Sequence, residues 1–141
     1  DFLMNDKCAA GTGRFLEVIS RTLGASVDQL DAITRGVEPH AITSMCTVFA
    51  ESEAISLRSA GVAPEAILAG IINAMARRSA NFIGRLAAQG PVLFTGGVSH
   101  CAVFVDKLAQ HAGMAVQTHP DAQYAGAIGA ALIGQQSGRR R

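Results

Sequence analysis

The first half of the chain alternates helical patterns of apolar residues with polar or glycine-containing connections. Apolar side chains recur at helical spacing from just behind Gly13 until Gly24 ends the pattern, and a second, short helix is predicted at residues 28–33. Residues 36–40 are predicted to form a connection. Residues 44–53 have an apolar, β-branched centre before the pattern turns helical, so the pattern leaves open where a strand would end and a helix begin.

The second half predicts one long helix followed by shorter elements. Pro64 suits the first position of that helix, because the amide that proline lacks would be unpaired there anyway, and an apolar stripe continues nearly to Gln89. Residues 90–91, a Gly-Pro pair, end the helix, and residues 92–95 are predicted to form a buried strand. The remaining predicted elements are a helix around residues 103–108, a short strand at residues 114–116, and an alanine-rich closing helix from Asp121 onward.

Helices that alternate with short buried strands favour an α/β fold whose functional loops lie at the carboxyl ends of the strands. A chain of 141 residues, 49% hydrophobic and 16% charged, suits one well-buried layered domain. We assign residues 1–136 to this domain and residues 137–141 to a disordered basic tail. The first residue is not methionine, and the opening residues are typical of the end of a strand, so we expect the later part of a longer protein.

Charge and hydropathy argue against several classes of partner. A net charge of +1 provides no electrostatic surface for nucleic acid. The sequence contains no run of about eighteen apolar residues, which a membrane-spanning helix would need, and no secretory signal precedes Asp1. We therefore expect a cytoplasmic protein that binds neither nucleic acid nor a membrane.

Two glycine turns are the candidate anion-binding segments. Glycines in Gly11-Thr12-Gly13 would let backbone N–H groups and the positive end of the following helix approach a phosphate. Gly96-Gly97 follows the predicted strand in a comparable position. The spacing fits neither a Walker lysine motif nor a complete dinucleotide-binding fingerprint, and each turn alone could serve packing only. Together the two turns favour a nucleotide held by backbone groups.

Acidic and thiol side chains near these turns are the other candidates for chemistry. Asp6 could orient a water or a hydrated Mg²⁺ near the phosphates, or it could cap the loop. Three scattered cysteines do not make a disulfide framework, which leaves Cys8 and Cys46 as either buried reduced thiols or metal ligands. We predict a structural role for Cys101.

Residues 5–15, 45–53 and 94–98 resemble the motifs of an ATPase family of the BadF/BadG/BcrA/BcrD type. That family comprises the iron–sulfur activators of 2-hydroxyacyl-CoA dehydratases and the ATP-hydrolysing subunits of benzoyl-CoA reductases. The likeness spans essentially the whole chain. Residues 118–131 are more similar to the reductase subunits, of the BcrD kind, than to the dehydratase activators.

The resemblance implies an actin-like ATPase fold, with a ribonuclease H-like sheet that carries helices on its faces. In this fold ATP and Mg²⁺ lie between two similar halves, and the chain resembles the second half alone. We therefore expect the isolated chain to fold but to bind nucleotide weakly and to be inactive as an ATPase. Ser99-His100-Cys101 departs from the Ala-x-Asn common in the family. The residues implied to contact the phosphates are Gly11, Thr12 and Gly13, and those implied to flank the adenosine are Gly96, Gly97 and Val98.

The resemblance also implies a redox cofactor, because Cys8 and Cys46 match the two family cysteines that ligate a [4Fe–4S] cluster shared between two subunits. A cubane cluster needs four thiolates, so two cysteines from each of two chains related by a two-fold axis would complete it. Cys8 lies just ahead of the phosphate turn, and a helix shift on ATP hydrolysis would therefore move a cluster ligand.

The implied function is ATP-driven, low-potential electron transfer from ferredoxin to partner subunits that reduce benzoyl-CoA or a related aromatic acyl-CoA. The expected partners are an identical or homologous ATPase subunit, the acyl-CoA reductase subunits and ferredoxin. Three alternatives stay open: an activator of a 2-hydroxyacyl-CoA dehydratase, an actin-fold phosphotransferase, and a non-catalytic nucleotide-binding module.

Overall fold

A computed structural model describes residues 2–3, 12–44, 47–87 and 89–138 of the chain. Its helices and strands alternate in the second half, as the sequence predicts. Short 3₁₀ turns lie at Val27–Gln29, Gly97–His100 and Ala122–Tyr124. The helices are α1 (Thr12–Thr22), α2 (Leu30–Thr34), α3 (Thr47–Ser59), α4 (Pro64–Arg85), α5 (Ala102–Ala112) and α6 (Ala125–Gly138), and the strands are β1 (Val92–Leu93) and β2 (Val116–Gln117).

The predicted helices are confirmed, with two boundary differences. Pro64 occupies the first turn of α4, where proline is favoured. The helix ends at Arg85, before the predicted end near Gln89, because the backbone leaves the helical conformation and Ala87 adopts a φ of 47°. The region in which the sequence left strand and helix undecided is helical from Thr47 onward.

The core forms around α4, which packs against α2, α3 and α5. Its apolar stripe faces these helices because residues three and four apart lie on one side of a helix. Polar side chains in this core satisfy themselves locally: the Ser20 and Thr34 hydroxyls donate to the backbone carbonyls of Leu16 and Leu30, each at 2.6 Å. Among the described residues, the large side chains that are fully buried are Leu16, Ile19, Leu30, Ile67, Leu68, Ile71, Ile72, Phe104 and Leu108.

Strands β1 and β2 form a parallel pair with α5 as the crossover between them. Parallel neighbours need such a crossover, since a tight turn can connect only antiparallel strands. The register places Val92 beside Val116 and Leu93 beside Gln117. The described part of the chain therefore contains one βαβ unit of the predicted α/β fold.

The prediction that residues 92–95 form a buried strand is wrong in two respects. The strand spans Val92–Leu93 only, and the Leu93 side chain is 68% exposed. Side chains alternate between the two faces of a strand, and Phe94 packs inward, with its ring stacked 5.6 Å from that of Phe104. Leu93 lies on the opposite face, which the described helices leave open.

The connection before α3 packs directly on α4 at a glycine. The His40 amide donates to the Ala66 carbonyl at 2.9 Å, which brings the backbone of residue 40 against the helix. A Cβ atom at Gly70 would overlap the His40 carbonyl oxygen and would lie 3.1 Å from Ile42 Cγ1. Gly70 is therefore required by close backbone approach within a helix.

The carboxyl-terminal helix α6 extends to Gly138, two residues beyond the predicted domain boundary at residue 136. The Ser137 hydroxyl donates to the Ile133 carbonyl at 3.0 Å, so this residue belongs to the helix. The rest of the predicted basic tail, residues 139–141, lies outside the described residues. Within the described ranges, none of the helices combines the length and apolar character needed to cross a bilayer.

Candidate nucleotide site

A cavity of about 850 Å³ opens between α1, α2 and the turn at Gly97–His100. Small-molecule sites commonly have volumes of about 300–1,000 Å³, so this cavity is large enough for a nucleotide. Its lining includes Gly13 from the first glycine turn and Gly96, Gly97 and Val98 from the second. The two segments that the sequence singled out separately therefore share one cavity.

The first wall of the cavity is the entrance of α1. Thr12 is the first residue of this helix, and Gly13 lines the cavity. A Cβ atom at Gly13 would lie 3.3 Å from Val98 Cγ2, which is tighter than ordinary van der Waals contact. The first amides of a helix have no partner within it and can donate to an anion. Gly11, also predicted to contact phosphate, lies outside the described residues.

The second wall is the turn that begins after Gly96. Gly96 has φ 96° and ψ 171°, a conformation that only glycine adopts readily. Its amide donates to the Ala122 carbonyl at 2.9 Å, and its carbonyl accepts from the Ser99 hydroxyl at 2.7 Å. Ser99 is the first residue of the turn whose amide bonds back within it, so the Gly97 and Val98 amides have no partner inside the turn.

Three carboxylates line the same cavity and were not predicted: Glu17, Asp28 and Asp31. Glu17 accepts from Arg14 at 2.7 Å and from Arg21 at 2.8 Å, and the hydrogen bond from Arg14 lowers the pKa of its carboxyl. Glu17 lies four residues after Gly13, on the same face of α1, which is the signal that could have revealed it. Carboxylates suit hydroxyl or amino donors rather than phosphate, so the cavity offers amide donors on two sides and acceptors on another.

Asp31 connects two walls of the cavity. Its carboxylate accepts from the Val103 amide at 2.6 Å and therefore caps the first turn of α5 from a different helix. It also accepts from Arg35 at 2.5 Å, within α2. The Cys101 sulfur lies 3.9 Å from the same carboxylate. Sequence reasoning missed this cap because Asp31 and Val103 are separated by 72 residues.

The Cys101 thiol lies in the cavity wall and is 9% exposed. Burial, together with the negative charge of Asp31, raises the pKa of this thiol. A thiol held in its neutral form is a poor nucleophile and a poor metal ligand. These contacts agree with the predicted structural role.

The predicted metal-ligating residues Cys8 and Cys46, and the predicted Mg²⁺-orienting residue Asp6, lie outside the described residues. Within the part of the chain that the structure describes, no group of three or more His, Cys, Asp or Glu side chains is arranged to hold a metal ion. The helices that follow the two cysteines in sequence, α1 and α3, contact each other. The cluster assignment stays a prediction.

Glu53 anchors the segment that enters α3. Its carboxylate accepts from the Thr43 amide at 2.9 Å, from the Thr43 hydroxyl at 2.8 Å and from the Ser44 amide at 2.8 Å. Burial opposes ionisation of Glu53, but the hydrogen bonds from Ser44 and Thr43 outweigh it and lower the pKa to about 2. The path of the chain into residues 45–46 is thus set by a carboxylate nine or ten positions further on.

We expect Glu53→Gln to lower the free energy of unfolding by about 1–2 kcal/mol at pH 7, because an amide replaces a carboxylate that accepts several hydrogen bonds. The stabilisation from the ionised group is fully present above its ordinary pKa of 4.5 and is lost as pH falls toward 2. Urea denaturation at pH 7 and pH 3 measures both effects. Glu51→Gln on the same helix is the control, and a loss from Glu53→Gln that does not shrink at low pH would contradict the assignment.

A solved structure has the same fold as this chain. The activator of the 2-hydroxyisocaproyl-CoA dehydratase from Clostridium difficile, with bound ADPNP, matches with a TM-score of 0.88 and 38% identity, over 100% of this chain and 55% of that one. The fold is thus that of one half of an actin-like ATPase, with a cavity between its two glycine turns. The chain belongs to the BadF/BadG/BcrA/BcrD ATPase family, whose sequence profile matches residues 1–134.

Several curated proteins are similar in sequence. Uncharacterized protein YjiL of Escherichia coli is 79% identical over all 141 residues, which cover 55% of its own length. The (R)-2-hydroxyglutaryl-CoA dehydratase activating ATPase of Acidaminococcus fermentans is 44% identical, over 94% of this chain and 51% of that protein. The D-type polypeptide of the benzoyl-CoA reductase of Thauera aromatica is 40% identical, over 94% of this chain and 50% of that polypeptide. The chain therefore spans about half the length of the curated relatives it matches.

Proposed function

We propose that this chain supplies one wall of the nucleotide site in an ATPase that drives low-potential electron transfer to an enzyme acting on a CoA thioester. The observation that carries the proposal is the shared cavity, in which the entrance of α1 at Gly13 faces the turn at Gly96, Gly97 and Val98. Membership of an ATPase family supports a nucleotide as its occupant.

The chemistry of the cavity suits the two ends of ATP differently. Amides at the entrance of α1 are placed to donate to phosphate oxygens, and the positive end of the helix favours their negative charge. Gly97 has no side chain to keep a ligand from its free amide, and a Cβ atom there would meet no described atom within 4 Å. Carboxylates such as Asp28 are suitable acceptors for the hydroxyl and amino groups of the adenosine.

Electron transfer would require the [4Fe–4S] cluster, with Cys8 and Cys46 as this chain's two ligands and the same pair from a second subunit. When bound, such a cluster would pass single electrons at a potential set by its ligands, charge and exposure. Cys46 directly precedes α3, and Cys8 precedes α1 by four positions. Because α1 also carries Gly13, a change at the nucleotide can reach the cluster-bearing segment through a single helix.

At the finer level, we propose a reductase-type role, in which electrons from ferredoxin pass to partner subunits that reduce benzoyl-CoA or a related aromatic acyl-CoA. The reductase-like character of residues 118–131 supports it. The second candidate is an activator of a 2-hydroxyacyl-CoA dehydratase, which the 44% identity to the A. fermentans activating ATPase favours. ATP consumption proportional to every substrate turnover indicates the reductase, whereas consumption confined to initial activation indicates the activator.

Gly97→Ala tests the nucleotide site. In a full-length protein that carries this chain, we expect the affinity for ADPNP to fall at least about tenfold, equivalent to about 1.4 kcal/mol, because the added methyl group blocks approach to the free amide. Folding should be unaffected, since Gly97 has neither a positive φ nor a crowded Cβ position. Isothermal titration calorimetry measures the affinity, and thermal unfolding checks the fold.

Gly84→Ala is the matched control, since its Cβ position is equally open but lies near the end of α4, away from the cavity. It should leave ADPNP affinity unchanged. Equal affinities for the Gly97→Ala variant and the unsubstituted protein would show that no ligand approaches this turn, and the nucleotide proposal would then fail.

A further inference from the structure

The closing helix α6 is apolar on all sides and almost uncovered. Within the described chain none of its residues is buried, and Ile128, Leu132 and Ile133 are 48%, 54% and 67% exposed. A helix that is apolar all round is normally buried, because a solvated helix keeps a polar face. The surface of α6 therefore has the character of an interface.

The glycines of α6 support the same conclusion. Gly126, Gly129, Gly134 and Gly138 lie within a helix of 14 residues, although glycine is the least favourable helix residue after proline. A Cβ atom at any of them would meet no described atom within 4 Å, so packing within the described chain does not require glycine there. Isolated helices of this length are marginal in water, and glycine allows another backbone to approach closely.

The length of the relatives indicates what covers α6. The whole of this chain matches only 55% of the E. coli relative at 79% identity, so a little under half of that protein lies outside the match. A second copy of this chain is a weaker candidate. A helix of this length offers a footprint of about 20 Å by 10 Å, far below the roughly 800 Å² per partner of a stable dimer. A covalently connected segment needs no such area, because its effective concentration is high.

The start of α6 is bonded to the nucleotide cavity. The helix follows the turn Ala122–Tyr124, and Ala122, which is 3% exposed, accepts the Gly96 amide at 2.9 Å. A displacement of α6 therefore acts on the turn that presents Gly97 and Val98.

We propose that α6 is the surface on which the remaining part of the full-length protein packs, and that the bond between Ala122 and Gly96 couples this packing to the cavity. The inference rests on family membership and on exposure, not on the proposed electron-transfer activity.

Hydrogen exchange of the α6 amides tests the proposal. The chain alone is compared with a single polypeptide in which it is joined to the unmatched part of the E. coli relative, in the order of that relative. We expect exchange over residues 125–138 to be at least tenfold slower in the joined protein. Equal exchange in the two proteins would overturn the proposal, as would protection in the isolated chain that rises with its concentration, since that would assign the surface to a second copy.

A variant pair distinguishes α6 from the rest of the surface. In the joined protein, Ile128→Ser with Leu132→Ser should return the exchange of α6 to the rate of the chain alone. Ile55→Ser on α3 replaces a side chain of the same 48% exposure as Ile128 and should leave that rate unchanged. Equal effects of the two substitutions would overturn the proposal. Neither measurement requires nucleotide or iron, so failure here leaves the proposed ATPase function untouched.

Discussion

Gly70→Ala is expected to lower the free energy of unfolding by at least about 3 kcal/mol. The added Cβ atom would overlap the backbone carbonyl oxygen of His40, which cannot move independently because the His40 amide is bonded to Ala66. Relief of the overlap requires the connection before α3 to separate from α4. For a domain of this size the loss corresponds to a fall in Tm of roughly 10 °C, which calorimetry of the isolated chain measures.

Gly84→Ala in the same helix is expected to act in the opposite direction. Its Cβ position is open, so alanine stabilises the helix by roughly 0.5–1 kcal/mol through its higher helix propensity. The pair compares the same substitution in the same element, with and without backbone overlap. A Gly70→Ala variant as stable as Gly84→Ala would mean that residues 37–44 do not pack on α4 as described.

Cys8→Ala or Cys46→Ala in a full-length protein that carries this chain is expected to abolish the iron–sulfur cluster and the ATP-dependent reduction that depends on it. A cubane cluster shared by two identical chains would lose two of its four thiolates at once with either substitution, because the two-fold axis repeats the change. The measurements are anaerobic iron and sulfide analysis and visible absorption, with and without the acyl-CoA-reducing partner.

Cys101→Ala is the control for the cluster, because this thiol is buried beside Asp31 in the wall of the cavity. We expect it to retain iron, sulfide and the visible absorption. Normal clusters in both the Cys8→Ala and the Cys46→Ala variants would refute the ligand assignment, and the nucleotide site would then be left without its proposed redox partner.

The elements that sequence reasoning located well are those with a local chemical signal at their ends. Gly24, with φ 81°, follows α1, and Pro64 begins α4. The end of α4 was missed because the chain turns at Ala87, where alanine in a left-handed conformation gives no signal in the sequence. Leu93 was expected to be buried because an apolar run does not show whether both faces of its strand are covered.

The candidate site was predictable where backbone geometry demands glycine, and not where distant segments meet. The two glycine turns were identified separately, and the structure brings Gly13 and Gly97 to one cavity, while their contact with a nucleotide stays a prediction. Glu17 could have been found from its spacing to Gly13 on one helix. The bond from Val103 to Asp31 depends on how α2 and α5 pack, which no local pattern reveals.

That bond determines which part of the cavity can yield. A charge-assisted hydrogen bond of 2.6 Å ties α2 to the first turn of α5, so these two walls behave as one unit. At the other side, Gly13 and Val98 approach each other without a Cβ at residue 13 and are joined there only by van der Waals contact. Widening or narrowing of the cleft is therefore least opposed at α1, and the compliance of the domain is directed toward its amino-terminal edge.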